Sequence, residues 1–187
     1  NACMQVFGGH GFIKEWGMEQ FVRDNRINMI YEGTNTIQSL DLLGRKVLGN
    51  QGATLKKLGK LIGALVQEEG VNEQTAEFMN PVAMLGGQMT KFTTEIGFKG
   101  MQNPDEVGAA AVDYLRVAGH LVFGYLFARM AQVSLRAIAN GSTDPFYTAK
   151  LQTARFYFAK LFPETVLLMR TARAGSKVLM DTDAALA

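Results

Sequence analysis

Apolar residues recur at helical spacing through most of this chain. One stripe steps by four and three residues between positions 111 and 125, and a neighbouring stripe keeps these steps from 126 to 137. This rhythm is typical of a helix packed in a bundle. Pro104 suits the first turn of that helix and Asn140-Gly141 suits its end, which predicts one helix of roughly 35 residues. The stripe that the spacing assigns to the core consists of Ala111, Leu115, Ala118, Val122 and Tyr125.

The remaining chain divides into further helices at turn signals. Apolar spacing predicts helices over about 34–48, 52–69 and 80–100, separated by turns at 49–50, 70–72 and 102–104. Another helix opens at Asp144-Pro145, breaks before Pro163 and stops at Gly175. The sequence has no alternating apolar run bounded by hairpin turns. The predicted fold class is therefore all-α, a helical bundle.

Several glycines fall inside the predicted helices. Each costs roughly 1 kcal/mol relative to alanine in a helix interior, so a compensating reason is expected. Close approach of neighbouring helices is one explanation, and a groove for a ligand is the other. These residues are Gly59, Gly63, Gly86, Gly87, Gly108, Gly119 and Gly124.

Composition and charge narrow the function classes. The 187 residues are 48% hydrophobic, enough for a packed core, and 19 basic and 17 acidic side chains leave a net charge of +2. This balance gives no electrostatic case for nucleic acid or an anionic membrane as a partner. The longest apolar run, residues 121–128, is too short to cross a bilayer, so no membrane span is expected.

Cysteine and histidine are too few for the common metal sites. Cys3 is the only cysteine, and His10 and His120 lie far apart in the sequence. No internal disulfide and no multi-cysteine zinc site can form, so no metal site is predicted. A single cysteine and the lack of a secretory leader favour a reducing interior, and we expect a cytoplasmic protein.

The character of the chain changes near residue 50. Residues 1–50 hold dense polar groups, whereas residues 51–187 are a repetitive helical region, which predicts a domain boundary between them. The chain begins at Asn1 in what reads as the middle of a helix, without an initiator methionine. We therefore expect a piece of a longer protein.

Residues 5–34 contain a series of motifs in a specific order. The series consists of Gln5, Gly8, Gly9, Gly11, Arg23, Asp24, Arg26, Tyr31, Glu32, Gly33 and Thr34. It resembles the C-terminal signature of the flavin-dependent acyl-CoA dehydrogenases. The resemblance is specific because several elements fall at the right separations, whereas a lone Gly-Gly-x-Gly would carry little weight.

The continuation at residues 38–46, QSLDLLGRK, is similar to one subgroup of that family. This subgroup has an extra helical C-terminal extension and includes dehydrogenases of 3-methylthiopropanoyl-CoA. The resemblance implies that residues 1–50 end the C-terminal helical domain of the family and that residues 51–187 form the extension.

The resemblance implies α,β-dehydrogenation of an acyl-CoA thioester, with FAD accepting the β-hydride. It makes Glu32 the base that removes the α-proton, with Tyr31 and Gly33 beside the substrate. A carboxylate screened from water is a stronger base, and the thioester oxygen needs aimed donors. The backbone N–H of Glu32 and a flavin ribityl hydroxyl are the implied donors. The alternatives are a solvated or helix-capping carboxylate for Glu32 and plain core packing for Tyr31.

The resemblance also implies contacts with the cofactor. Thr34 and Thr36 would contact the flavin, while Gln5 and Gly9 would reach the FAD of a neighbouring subunit. Thr34 also suits the N-cap of the helix that follows, and the glycine-rich stretch would otherwise be a simple turn.

Partners follow from the resemblance alone. It implies a homodimer or homotetramer that passes electrons to an electron-transferring flavoprotein. Arg23, Asp24 and Arg26 are expected to form ion pairs that fix neighbouring helices. We expect the isolated chain neither to bind FAD tightly nor to turn over substrate. The alternatives are a non-catalytic helical assembly module of the same superfamily and an unrelated structural bundle with Glu32 on an exposed helix face.

Overall fold

All regular structure in the described part of the chain is helical. The computed structural model describes residues 1–69 and 73–181, and no strand occurs among them. The all-α prediction is confirmed, while the turn predicted at residues 70–72 lies outside the described residues. The chain forms two compact units, Asn1–Gln38 and Ser39–Ala187.

The N-terminal unit consists of short helical segments without a core of their own. In chain order they are α1 (Ala2–Val6), 3-10 turns at Gly8–Phe12 and Lys14–Trp16, α2 (Met18–Arg26), a 3-10 turn at Ile27–Met29 and the start of α3 (Thr34–Leu40). Gly11 is the one buried residue among residues 1–38, and Phe12, Trp16 and Phe21 are exposed. This unit therefore presents an apolar surface.

The C-terminal unit is a bundle of long helices. A π-helical segment, Asp41–Leu48, follows α3 directly. The later elements are α4 (Ala53–Glu69), α5 (Glu73–Gln102), α6 (Asp105–Ala139), α7 (Pro145–Phe156), a π-helical segment at Tyr157–Leu161, α8 (Glu164–Ala172) and α9 (Lys177–Met180). The central helix is α6, which packs against α5, α7, α8 and the 41–48 segment. The helices predicted at 34–48 and 52–69, the long helix after Pro104 and the break before Pro163 are confirmed.

The buried face of α6 differs by one residue from the predicted one. The predicted residues Leu115, Ala118 and Tyr125 are only half-buried, and Val122 is exposed. Of the predicted stripe, Ala111 is buried. The main buried line keeps the steps of four and three residues and consists of Ala110, Tyr114, Val117, Leu121, Gly124, Ala128 and Ala131. The predicted register was wrong because the opposite face of α6 is apolar as well. Exposed residues there include Val112, Phe123, Leu126 and Val133.

Helix α5 begins earlier than the sequence pattern indicated. The predicted start near residue 80 coincides with Pro81, yet the helix runs through this proline from Glu73. A proline inside a helix removes one backbone hydrogen bond and costs about 3 kcal/mol. Burial offsets that cost, because an unbroken apolar line crosses the proline. This line consists of Phe78, Val82, Leu85, Met89, Phe92 and Ile96.

Close helix approach explains only some of the helical glycines. A Cβ at Gly124 would lie 2.7 Å from Phe162 and 3.2 Å from Val82, so a side chain there would clash. A Cβ at Gly86 would make ordinary contact with Ile62, at 3.8 Å. The expectation is wrong at the other positions, because a Cβ there would meet nothing within 4 Å. These are Gly59, Gly63, Gly87, Gly108 and Gly119.

A polar cluster ties α6 to the kinked segment between α7 and α8. His120 Nδ1 lies 3.0 Å from the Tyr157 hydroxyl, and Nε2 lies 3.1 Å from the Glu164 carboxylate. Arg116 donates to the same carboxylate. The Tyr157 ring stacks on Phe127, and burial raises the pKa of Tyr157 to about 12. These contacts hold the chain at the π-helical turn before Pro163.

By length and composition alone, one described helix could cross a bilayer. This helix is α6, whose most apolar window has a mean hydropathy of 1.2. The central helix of a bundle passes the same test, and one face of α6 packs against its neighbours. The expectation of no membrane span stays a prediction.

Candidate functional site

The motif that carries the predicted base forms a strained turn before α3. Glu32, Gly33 and Thr34 have φ values of 56°, 94° and 61°, three left-handed residues in succession. Such values cost non-glycine residues about 1–2 kcal/mol each, and a β-branched threonine adopts them rarely. Strained backbone of this kind clusters at active sites and ligand clamps. The geometry therefore marks residues 32–34 as a candidate functional turn.

Two residues of α3 fold back on this turn. The Gln38 side-chain amide donates a hydrogen bond of 2.7 Å to the backbone oxygen of Glu32. A Cβ at Gly33 would lie 2.9 Å from Ile37 Cγ2, so only glycine fits beside that side chain. The sequence pattern identified Glu32 and Gly33 but missed the contact of Gln38. The sequence feature that could have indicated this contact is the side-chain amide of Gln38, in the first turns of the helix that follows the motif.

The other predicted site residues lie at the surface of the N-terminal unit. Gln5 lies in α1 and Gly9 in the first 3-10 turn, and both are exposed. Thr34 and Thr36 lie at the start of α3 and are exposed, and Tyr31 is half-exposed. No hydrogen bond or ion pair of the described residues joins Gln5 or Gly9 to Glu32. The structure does not bring these two parts of the site together by direct contact.

Glu32 is itself exposed, on a turn rather than on a helix face. Two clefts of the N-terminal unit, of about 210 and 370 Å³, lie against α2, and Glu32 lines neither of them. Met4 and Val22 line both clefts. The carboxylate is therefore open to approach by other groups, and neither of these two clefts encloses it.

The residues predicted to bind cofactor fit a surface contact. A Cβ at Gly8 or Gly9 would meet nothing within 4 Å, so the backbone of this turn is open to close approach by a ligand. An open backbone of this kind suits the diphosphate of a dinucleotide. Gln5 and Thr34 are exposed and add polar side chains. Each of these two parts therefore suits a surface contact with a cofactor.

The predicted ion pairs of Arg23, Asp24 and Arg26 are absent from the described residues. Asp24 instead accepts a hydrogen bond of 2.7 Å from the Gln20 side chain. Arg23 and Arg26 line the two clefts of the N-terminal unit. The expectation is wrong for this chain, because among the described residues neither arginine lies within ion-pair distance of a carboxylate, although Glu19 lines the same cleft as Arg23.

The charges that follow α3 pair within their own segment. Asp41 is held by Arg45 and by Lys46, whose Nζ lies 2.9 Å from the carboxylate. The hydrogen bonds from Arg45 and Lys46 lower the pKa of Asp41 to about 2. Across the described residues, no group of three or more His, Cys, Asp or Glu side chains could hold a metal ion. The candidate site therefore consists of backbone and polar side chains.

Two known protein families match this chain in consecutive stretches. The family described as "Acyl-CoA dehydrogenase, C-terminal domain" matches residues 1–48, and "Acetyl-CoA dehydrogenase C-terminal like" matches residues 55–183. The strained turn lies in the first stretch, and the long-helix bundle makes up the second. The domain boundary predicted at residue 50 stays a prediction.

Individual relatives are similar over nearly the whole chain. The 3-methylmercaptopropionyl-CoA dehydrogenase of Ruegeria pomeroyi is 33% identical over 162 residues, which are 86% of this chain and 28% of that protein. The broad-specificity linear acyl-CoA dehydrogenase of Mycobacterium tuberculosis is 26% identical over 97% of this chain and 31% of its own length. A butyryl-CoA dehydrogenase of Syntrophomonas wolfei is 30% identical over 96% of this chain and 30% of its own. The chain thus spans about 30% of the length of these relatives.

Proposed function

Because this chain belongs to the acyl-CoA dehydrogenase family, we propose that it is part of an FAD-dependent acyl-CoA dehydrogenase, with Glu32 as the base. The proposed reaction removes the α-proton and the β-hydride of an acyl-CoA thioester and leaves a 2-enoyl thioester. The observation that carries the proposal is the match of both families, in order, to the two parts of this chain.

Glu32 supplies the proton transfer in this proposal. Its carboxylate is exposed on a tight turn, so a substrate can reach it without displacing a side chain of the N-terminal unit. A positioned carboxylate acting as a general base contributes typically about 10²–10⁴-fold to the rate. Removing the α-proton leaves negative charge on the thioester oxygen, and the backbone N–H of Glu32 is the proposed donor to it.

The cofactor proposed for the whole protein is FAD. When bound, FAD accepts the hydride that leaves the β-carbon. Thr34 and Thr36 are proposed to contact this FAD, whereas Gln5 and Gly9 are proposed to contact the FAD of a neighbouring subunit through polar and open-backbone contacts. Since these residues form no enclosing pocket, the chain alone is expected to bind FAD weakly. Purification of the 187-residue chain with a bound flavin absorbance band would contradict this.

The relatives support an acyl-CoA thioester as the substrate class. Their names specify 3-methylmercaptopropionyl-CoA, linear acyl-CoA and butyryl-CoA, which share the thioester and an acyl chain. We extend two further features of the resemblance to the whole protein: a homodimer or homotetramer, and electron transfer to an electron-transferring flavoprotein. We also propose a cytoplasmic location, on the ground of the single cysteine.

Substitution of the base in the full-length holoenzyme tests the proposed function. Glu32→Gln keeps the size of the side chain but removes the base, so bleaching of the flavin on adding acyl-CoA should slow by about 10²–10⁴-fold. Glu15→Gln is the matched control, since Glu15 is an exposed carboxylate of the same unit outside the motif. Unchanged bleaching in Glu32→Gln would contradict the proposal and favour a non-catalytic helical module.

A further inference from the structure

We propose that Gln38 is a positioning residue for the base, acting through the backbone of Glu32. This inference rests on the proposed function, because it gives Gln38 a role in the reaction of Glu32. The evidence for this role is the 2.7 Å hydrogen bond from the Gln38 side-chain amide to the Glu32 carbonyl oxygen. The bond joins α3 to the strained turn that precedes it.

The turn needs such a restraint because its conformation is unfavourable. Glu32 and Thr34 are two of the three non-glycine residues with positive φ in the described chain. Left-handed backbone costs each about 1–2 kcal/mol, and such residues persist only where their surroundings hold them. Gly33, the third residue of this turn, also has a positive φ, but glycine adopts such a value without that cost.

Two contacts from adjacent residues of α3 supply the restraint. Ile37 packs against Gly33, so that a Cβ on Gly33 would come within 2.9 Å of it. Gln38 holds the carbonyl of Glu32 from the same helix. The first contact is steric and the second is a directed hydrogen bond, so they restrain different features of the turn.

The carbonyl of Glu32 is the group through which this turn can be oriented. Because the peptide unit is planar, holding that oxygen fixes the plane of the peptide between Glu32 and Gly33. The ψ angle of Glu32 is fixed with it, and with this angle the direction in which the Glu32 side chain leaves the turn. A misplacement of about 1 Å can cost about 10²-fold in rate, so a loose turn would slow proton removal without weakening substrate binding.

The proposed role requires a hydrogen-bond donor at position 38, so variants that remove or restore the donor test it directly. Gln38→Glu keeps the shape of the side chain but, when ionised, turns the donor into an acceptor that repels the carbonyl. Gln38→Leu removes the polar group altogether. Gln38→Lys restores an N–H donor on a flexible side chain. Gln20→Leu is the matched control, because Gln20 also donates a side-chain hydrogen bond, to Asp24, away from the turn.

The experiment measures single-turnover flavin reduction by acyl-CoA in the full-length holoenzyme, with Glu32→Gln in the same series. We expect at least a tenfold slower reduction in Gln38→Glu and Gln38→Leu, with the acyl-CoA concentration at half-maximal rate changed less than twofold. Gln38→Lys should recover to within about threefold of the parent rate, and Gln20→Leu should match it. Since Gln38 is exposed, the thermal midpoints of all variants should agree, which separates the effect from misfolding.

Two results would overturn the inference. One is parental reduction rates in both Gln38→Glu and Gln38→Leu while Glu32→Gln is inactive. The other is a Gln38→Lys variant that is folded and as slow as Gln38→Glu, since a restored donor would then have no effect. A Glu32→Gln variant that reduces flavin at the parental rate would instead contradict the proposed function itself.

Discussion

At the scale of single residues, Gly124 and Gly119 occupy the same helix but have different surroundings. A Cβ at Gly124 would lie 2.7 Å from the Phe162 ring, whereas a Cβ at Gly119 would meet nothing within 4 Å. The sequence presents both as glycines in an apolar helix and cannot tell them apart. Their difference depends on which neighbour packs on each face, and that is decided by tertiary structure.

Alanine at these two positions should therefore change stability in opposite directions. Gly124→Ala forces Phe162 or Val82 to move and should destabilise the 187-residue chain by about 1–3 kcal/mol. Gly119→Ala fills open space and should stabilise it by up to about 1 kcal/mol, because alanine favours the helix. Urea unfolding followed by circular dichroism measures both. Shifts of the same sign would contradict the packing described for α6.

For the motif, too, the sequence predicts the identity of the residues better than their geometry. The order of residues from Gln5 to Thr34 was enough to identify the family, which the matching families confirm. The sequence did not predict that Glu32 and Thr34 adopt positive φ, since neither residue type prefers it. Nor did it indicate the bond from Gln38, which exists only because α3 begins directly after the turn.

At the scale of elements, helix boundaries were more predictable than helix faces. Helix α7 begins at Pro145, where the Asp-Pro sequence predicted a helix start, and Asp144 caps it by accepting a 2.9 Å hydrogen bond from the Phe146 N–H. The face of α6 was predicted one residue out of register because both of its sides are apolar. In such a helix, periodicity gives the spacing of the core positions but not which stripe faces the bundle.

The link between the start of α6 and the segment after α8 should make stability depend on pH. The Glu106 carboxylate accepts hydrogen bonds from the Ser176 hydroxyl at 2.6 Å and from its backbone N–H at 2.9 Å. These bonds lower the pKa of Glu106. A carboxyl whose pKa is lower in the folded state stabilises the fold above its unfolded pKa. That contribution is lost as the pH falls through the folded value.

Glu106→Gln should therefore reduce the acid sensitivity of the chain. We expect the thermal midpoint of the parent to fall more steeply than that of the variant between about pH 6 and pH 3. Ser176→Ala, which removes the shorter of the two bonds, should change the slope in the same direction. Parallel midpoint curves for the parent and Glu106→Gln would contradict this account of the contact.

At the scale of the whole molecule, the core belongs to one of the two units. Every buried hydrophobic side chain of the described residues lies at or beyond Leu43, and residues 1–38 bury none. The sequence predicted a change near residue 50 from its polar density. It could not show that the motif-bearing unit lacks a core, because burial depends on which apolar side chains the tertiary structure covers.

Deletion of residues 1–38 should leave the stability of the bundle nearly unchanged. The remaining chain keeps the full hydrophobic core, so it should unfold in one cooperative transition. We expect a thermal midpoint within about 3 °C of the 187-residue chain, since a loss of 1 kcal/mol shifts it by only a few degrees. Loss of the cooperative transition would show that the N-terminal unit contributes to the core.

The exposure of Glu32, which lines neither of the two clefts described for the N-terminal unit, belongs to the same scale. The chain spans about 30% of the length of its relatives, so most of a full-length dehydrogenase lies outside it. Under the proposed function, groups of that remainder and the bound ligands contribute to screening the carboxylate.

The most direct test of Glu32 as the base measures proton removal by itself. Full-length holoenzyme is incubated anaerobically with acyl-CoA in deuterium oxide, and mass spectrometry follows deuterium at the α-carbon of recovered substrate. The parent enzyme and Glu15→Gln should incorporate deuterium, and Glu32→Gln should do so about 10²–10⁴-fold more slowly. Incorporation by Glu32→Gln at the parental rate would contradict the assignment of Glu32 as the base.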